Sequence, residues 1–413
     1  MQLKRFSVNG FKNFRQPIVF ENMGKICVIH GENNVGKSNV VEAMLLFFQL
    51  GDKLLTYFEP DVIHSVNFSA EELEQLGFKA SEIFSFGLET PMILTALLVF
   101  EPNETELNTY FELEISIKLK KTHNHIECQN LSLKTIEGTE VDKKTFIKFF
   151  SRPFALIGVD RLINETEAET VRHIVPQTLL LKLYDIKDSP EPSIFEKWEL
   201  FVSTLQRFND VLGEGEFVSL FDRHANLANL VFQPQSKPRR RIPIEILGSG
   251  IQQVVAIVAR LLVSEATLIA IEEPELNLRY TLQLRLREIL HEIVNAPVGP
   301  QQLFLTSHSP AFEFGQHFYA MTAGNEAPTV KHLPIKQALM FTEHDANAPN
   351  IGETAPQCYV SSDRLVRLPT DICQYLGIEQ GGGIVTLKRK DNGHVELLTN
   401  EQFLELLEPI DHE

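Results

Sequence analysis

Eight residues, Gly31-Glu32-Asn33-Asn34-Val35-Gly36-Lys37-Ser38, set two glycines, a lysine and a hydroxyl at the spacing of a phosphate-binding loop. The chemistry such a loop does is electrostatic. Its glycines let backbone N–H groups approach a bound anion, and a helix starting there aims its unpaired donors and positive end at the same point. Lys37 would reach terminal phosphates as a point charge, and the Ser38 hydroxyl would ligate the Mg2+ that bridges them. Asn33, Asn34, Gly36, Lys37, Ser38 and Asn39 are therefore the candidate nucleotide-binding residues. A match to G-x4-G-K-[ST] arises by chance in roughly 1% of chains this long, which leaves little room for a mere glycine turn.

A loop of this kind needs a buried strand before it and a helix behind it. Ile26-Cys27-Val28-Ile29 supplies the strand, and Asn39 to Phe48 carries helical apolar spacing that is expected to stop at Gly51. Upstream, Gln2 to Val8 alternates like a strand, with Ile18-Val19-Phe20 as its hairpin partner beyond an Asn9-Gly10 turn. Residues 51–90 read as an insertion or loop around a short helix at Ala70–Leu76. Alternation over Pro91–Leu119 and Ile126–Leu133 predicts antiparallel strands with one wet face. Ile194, Trp198, Phe201, Val202, Leu205, Phe208 and Leu212 then mark a helical arm ended by Gly213. No long heptad block occurs, which excludes an extended coiled-coil arm.

The chain has 413 residues and a net charge of −17, a balance that opposes a broad grip on nucleic acid. The concentrated basic run Lys237-Pro238-Arg239-Arg240-Arg241 reads as a solvated loop, or as a contact for phosphate, DNA or an acidic partner. Cys27, Cys128, Cys358 and Cys373 are too scattered for a disulfide or metal framework, and His123 and His125 take no role. No apolar run spans a bilayer and no signal-peptide core follows Met1, so a cytoplasmic location and no membrane partner are expected.

A second group of motifs falls between 247 and 310. Leu247-Gly248-Ser249-Gly250-Ile251-Gln252-Gln253 opens a helix through Leu262; the strand Leu268–Ile271 ends in Glu272-Glu273-Pro274-Glu275; after a helix over Leu282–Val294 comes Leu303-Phe304-Leu305-Thr306-Ser307-His308-Ser309-Pro310. Two acids side by side at the end of a buried strand are costly unless a cation joins them. In this order after a phosphate loop, and with the opening Phe11-Lys12-Asn13-Phe14, the motifs resemble ABC-class ATPases of the RecF/SMC/OLD-like branch found in DNA repair and phage defence. The resemblance covers about 1–50 and 240–325. It implies ATP and Mg2+ as cofactors, Glu272 as the acid that orders the metal with Ser38, Glu273 as the base that positions the attacking water, and His308 as the γ-phosphate sensor. It also implies that Gly248, Ser249 and Gly250 form a signature loop capping the nucleotide of a second subunit. Glu272 stands where aspartate is usual, the signature lacks the common second serine placement, and no Q-loop is identified. Arg161, after the strand-like Phe154–Val159, is a candidate γ-phosphate arginine or a salt-bridge residue.

Beyond Thr322 the composition shifts, and 326–360 reads as a linker. In 361–413 come a strand, a helix at Thr370–Leu376 and a hairpin around Asp391-Asn392-Gly393; Leu368-Pro369 followed by Leu376-Gly377-Ile378 and Gly381 resembles the swapped-hairpin fold of AbrB/SpoVT-type regulators. That resemblance implies DNA binding through Lys388, Arg389 and Lys390; self-pairing or docking are the other uses. The expected fold is thus α/β, an ABC-type ATPase core at 1–325 with antiparallel and helical insertions at about 51–240, plus a small α+β hairpin domain. No nuclease, protease or transfer site accompanies the ATP site. The expected function is an ATP-driven regulatory switch, a homo-oligomer closing across the ATP site to control a separate effector in anti-phage defence. The alternative is a RecF-like DNA repair ATPase.

Overall fold

The computed structural model describes residues 1–57, 66–85, 90–100, 111–122, 125–135, 153–159, 174–237, 240–312, 317–324, 327–333, 386–390 and 395–398. The chain divides into two units, Met1–Pro334 and Ile335–Glu413. In the first unit the order is β1 (Gln2–Asn9), β2 (Ile18–Phe20), β3 (Ile26–Gly31), α1 (Lys37–Tyr57), β4 (Val66–Phe68), α2 (Ala70–Gln75), β5 (Met92–Phe100), β6 (Phe111–Lys121), β7 (Ile126–Thr135) and β8 (Phe154–Ile157). There follow α3 (Gln177–Lys187), α4 (Pro192–Leu205), β9 (Gly215–Asp222), β10 (Leu227–Pro234), β11 (Ile242–Pro243), α5 (Ser249–Val263), β12 (Leu268–Glu272), α6 (Tyr280–Asn295), β13 (Gln302–Ser307), β14 (Phe318–Thr322) and β15 (Thr329–His332).

Two six-stranded sheets enclose α1. One is antiparallel, ordered β2-β1-β5-β6-β7-β4; the other is ordered β15-β14-β3-β13-β12-β8 and is parallel except for β15. Strands covered on both faces should be apolar throughout, and every residue of β13 is buried. Helix α1 obeys the same logic. Val40, Val41, Ala43, Met44, Leu46 and Phe47 are all buried, so the helix is apolar around its circumference because it has a sheet on each side. Phe47 meets Phe6 of β1 edge-on at 6.0 Å, and Phe48 stacks on Phe154 of β8 at 5.3 Å.

This sandwich explains one departure from the sequence expectation. Helix α1 does not stop at Gly51 but runs to Tyr57. A glycine inside a helix costs about 1 kcal/mol, and burial of Leu50 and Leu54 on either side of it offsets more than that. The stretch 51–240 contributes to both sheets: β5, β6 and β7 extend the one begun by β1, and β8 forms the edge of the parallel one. The first unit runs to Pro334 because β15 pairs with β14. The helical arm is α4, continued by a 3-10 turn and a helical turn up to Gly213, at φ 85°. It packs on α3, α5 and α6. Arg207 pairs with Glu288 and Glu292 of α6, and Arg285 pairs with Asp210, holding the carboxyl of Asp210 below the usual range.

In the second unit, β16 (Thr386–Arg389) pairs antiparallel with β17 (Val395–Leu398). The expected helix at Thr370–Leu376 and the 326–360 linker beyond 333 lie outside the described residues. Among the described residues, no helix is long and apolar enough to cross a membrane.

A single buried amide joins the chain start to the parallel sheet. Gln302, fully buried at the head of β13, donates to the carbonyls of Leu3 and Gly24 and accepts from the Leu3 N–H, at 2.7–2.9 Å. Replacing it with leucine removes all three of these buried bonds and leaves the Gly24 carbonyl to the weaker Cys27 Sγ donor at 3.3 Å, so Gln302→Leu is expected to cost about 3–5 kcal/mol. Gln301→Ala, which loses a partly buried contact with the Met1 amine, should cost less than about 1 kcal/mol. Thermal and urea unfolding of the two variants against the parent chain measures the difference.

Candidate functional site

The phosphate loop spans the step from β3 to α1. Asn34 (φ 66°) and Gly36 (φ 103°) are left-handed. A Cβ on Gly36 would lie 2.5 Å from the Asn13 amide, and one on Gly31 would lie 2.4 Å from the Met321 carbonyl. Asn13 is the buttress: its Nδ2 donates to the Val35 carbonyl at 3.2 Å and its Oδ1 accepts from Asn39 at 2.8 Å. Lys12 beside it pairs with Glu42 of α1. The Phe11–Phe14 turn, noticed in the sequence only as part of a resemblance, is therefore a physical support of the loop.

Lys37 is buried, and its Nζ donates to the carbonyls of Gly31 and Glu32, each at 2.8 Å. Desolvation pushes its pKa down, while the carboxylates of Glu273 and Glu275 act in the opposite direction. That electrostatic link brings the loop lysine and the acid-bearing turn after β12 into one neighbourhood. Asn33 and Asn34 are exposed; Ser38 and Asn39 are half-buried.

The acids are placed by strand register. Glu272 ends β12 opposite Thr306 of β13, and Thr306 in turn lies opposite Ile29 of β3. Glu273 follows at φ 41°, a conformation costing a side-chain-bearing residue of order 1 kcal/mol, and its N–H is bonded to the Thr306 carbonyl at 2.9 Å. His308 sits just beyond β13, with Nδ1 3.8 Å from Glu273 Oε1 and 3.3 Å from Glu275 Oε1. The sequence reading gave Glu275 no role. Yet it is 4% exposed and accepts from Ser307 Oγ at 2.7 Å and from the His308 N–H at 2.8 Å. The available signal was its place as third acid in Glu-Glu-Pro-Glu.

The expected signature loop faces solvent. Gly248 caps α5 without a side-chain bond to its N–H groups, Gly248 and Ser249 are exposed, and Gly250 sits against Leu282, which a Cβ would meet at 2.7 Å. Ile246 and Tyr280 are exposed apolar surface, Ile246 at 74%. Of the basic run, Lys237, Arg240 and Arg241 are described; Arg239 and Arg161 lie outside the described residues.

The cradle suits a nucleotide phosphate, since the left-handed Gly36 turns the loop directly into the N-terminus of α1, where the helix's first N–H groups attract an anion. Ser38 and Glu272 offer hard oxygen donors. Among the described residues no group of three or more His, Cys, Asp or Glu forms a metal cage; Mg2+ needs only one or two protein oxygens and takes the rest from phosphate and water.

A family model described as an AAA ATPase domain matches residues 185–312, which include Gly248–Gly250, Glu272, Glu273 and His308 but not the phosphate loop. A Helicobacter pylori (strain ATCC 700392 / 26695) protein described as an ATP/GTP phosphatase is 21% identical over 327 residues, 74% of this chain and 85% of that protein. Among solved structures, an SMC head bound to the C-winged helix domain of ScpA aligns with a TM-score of 0.53 at 13% identity, covering 82% of this chain and all of that one. The SMC head domain from Thermotoga maritima aligns at 0.45 and 14% identity over 81% of this chain. The first alignment shows the fold, that of an SMC head.

Gly36 gives the direct test of the loop geometry. Gly36→Ala combines an unfavourable φ with a collision against Asn13, so ATP affinity should fall at least 10-fold while the melting temperature stays within a few degrees of the parent. Fluorescent-nucleotide titration and thermal melting check both parts.

Proposed function

We propose that this chain, an ATP-hydrolysing enzyme with the fold of an SMC head, works as a nucleotide-driven switch that closes on a second copy of itself to control a separate effector protein. The observation that carries this reading is the exposed, uncapped N-terminus of α5, which offers Gly248 and Ser249 to solvent, with Gly250 half-buried behind them, beside exposed Ile246 and Tyr280. A 15-residue helix beginning in glycines is suited to an anion, and in this reading the anion is the γ-phosphate held by the other copy.

Within one copy, Lys37 and the N–H groups of Asn33 to Ser38 would bind the phosphates. Ser38 and Glu272 would hold Mg2+, which when bound neutralises charge building up on the phosphate oxygens. Glu273, fixed through its N–H to Thr306, would orient water and take its proton. His308 would touch the terminal phosphate, so the turn after β13 would register whether that phosphate is present. Closure across α5 would stabilise the charge that develops in hydrolysis, since donors fixed in advance cost no reorganisation.

The output would be an altered grip on a partner. One of the aligned SMC heads is bound to a ScpA domain, which supports a head that carries a second protein. Driving an effector from 1:99 to 99:1 requires about 5.5 kcal/mol of differential affinity between nucleotide states, within reach of two or more sites closing together. A role in anti-phage defence fits an ATPase in which no second active site is recognised among the described residues. DNA as the partner is the second reading, favoured only by the exposed Lys237, Arg240 and Arg241.

Lys37→Ala should lose ATP binding by 100-fold or more. Glu273→Gln should bind ATP normally, hydrolyse it at least 100-fold more slowly and sediment as the larger assembly in ATP and Mg2+. Parent-rate hydrolysis by Glu273→Gln would reassign the base, and an ATP-bound monomer would remove the closure step. Salt-sensitive capture of DNA by the stalled form, with no co-purifying protein, would favour the second reading.

A further inference from the structure

The third acid of the turn after β12 is unaccounted for by the assigned chemistry, and its surroundings are unusual. Burying a carboxylate costs several kcal/mol unless hydrogen bonds and charge compensate. Glu275 is 4% exposed, and its bonds converge on one oxygen: Oε1 accepts from Ser307 Oγ and the His308 N–H and lies 3.3 Å from His308 Nδ1. The other oxygen, Oε2, is buried with no hydrogen-bond partner among the described residues. Such an arrangement is expensive and is directed at one target, the turn that carries His308.

The same turn is held at its far end. Ser309 N–H donates to Ser307 Oγ at 3.0 Å, Ser309 Oγ donates to Gln283 Oε1 at 2.5 Å, and Gln283 Nε2 donates to the Leu278 carbonyl at 2.9 Å. Residues 307–309 are thus tied to the loop after β12 twice, through Glu275 at its start and through Gln283 to Leu278 at its end. Strands β12 and β13 are already in parallel register up to Glu272 and Thr306. The two loops leaving them therefore form one hydrogen-bonded body.

We infer that Glu275 is a positioning residue that sets the orientation and tautomer of His308. Oε1 is an acceptor in both of its hydrogen bonds, so the ring nitrogen facing it, Nδ1, carries a proton, and Nε2 is the nitrogen presented to a nucleotide. Which nitrogen a histidine presents is set by the bond the other makes. Glu273, whose nearest oxygen is 3.8 Å from Nδ1, makes the weaker contact with the ring. Moving the acid-bearing loop then carries His308 with it, so the base and the phosphate sensor shift as a unit. This inference rests on the reading of His308 as the group that meets the terminal phosphate.

The test uses the full chain with ATP and Mg2+ and five variants: Glu275→Ala, Glu275→Gln, Lys37→Ala, Glu273→Gln and His308→Gln. Ring-nitrogen NMR of histidine-labelled protein, with the His308 signal identified by its loss in His308→Gln, reads the tautomer directly. The parent should show Nδ1–H. Glu275→Ala should move His308 to the Nε2–H form and lower kcat by about 30- to 100-fold with the KM for ATP within threefold, as expected of a misoriented group. Glu275→Gln keeps an acceptor oxygen, so it should retain the tautomer and a kcat within tenfold of the parent, and its melting curve guards against misfolding in the alanine variant.

The inference is overturned by an Nε2–H tautomer in the parent, by an unchanged kcat in Glu275→Ala, or by Glu275→Gln as inactive as Glu273→Gln, which would make Glu275 a base. If Lys37→Ala and Glu273→Gln hydrolyse ATP at the parent rate, the reading of the site fails and takes this inference with it. If those two are inactive while Glu275→Ala leaves tautomer and rate unmoved, the inference alone fails.

Discussion

The burial of α1 between two sheets is the constraint on which the rest of the structure depends. A helix that is apolar on all sides has no stable place on a surface, and each large side chain it buries contributes about 1.5–3 kcal/mol. Because Phe47 is committed to the antiparallel sheet and Phe48 to the parallel one, the helix cannot rotate or slide without breaking both faces at once. Its first turn is the end of the phosphate loop. The position of Lys37 and Ser38 is thereby inherited from core packing many residues away, and only the last adjustment is left to Asn13 and the Phe11–Phe14 turn.

Electrostatics sets a second condition at the same end of the sheet. A buried ammonium and a buried carboxylate, Lys37 and Glu275, occupy the region where β3, β13 and β12 end. Each is expensive alone, and each is hydrogen-bonded: Lys37 to carbonyls of its own loop, Glu275 to the histidine turn. The free energy invested in these contacts holds the loops in a fixed relation while leaving their polar groups close to where phosphate charge would lie.

Legibility from sequence followed the range of the interactions. The strand, loop and helix around Lys37 lie in consecutive residues, so spacing alone was enough, and β12 and β13 were marked by apolar runs of strand length. The end of α1 is not legible locally because Gly51 is a local stop signal, while burial of Leu54 in the core decides the outcome. The antiparallel sheet as an assembly was invisible, since Val8 finds its partner at Leu94 and nothing near either residue announces the other. Glu275 escaped notice for a related reason. An acid three residues beyond a strand end has the same composition whether solvated or buried, and only the arrival of Ser307 and His308 from β13 distinguishes the cases.

The helical lobe contains one more feature of use. The sequence has a single tryptophan, and Trp198 is nearly buried in α4, stacked on Phe201 at 5.4 Å. The helix bearing it packs against both α5, which begins at the exposed glycine loop, and α6, which follows the acid-bearing turn. The indole is therefore a built-in optical gauge. Its emission arises from one site alone, and that site adjoins the two helices whose N-terminal ends border the candidate nucleotide chemistry, so the lobe carries its own label for watching them move.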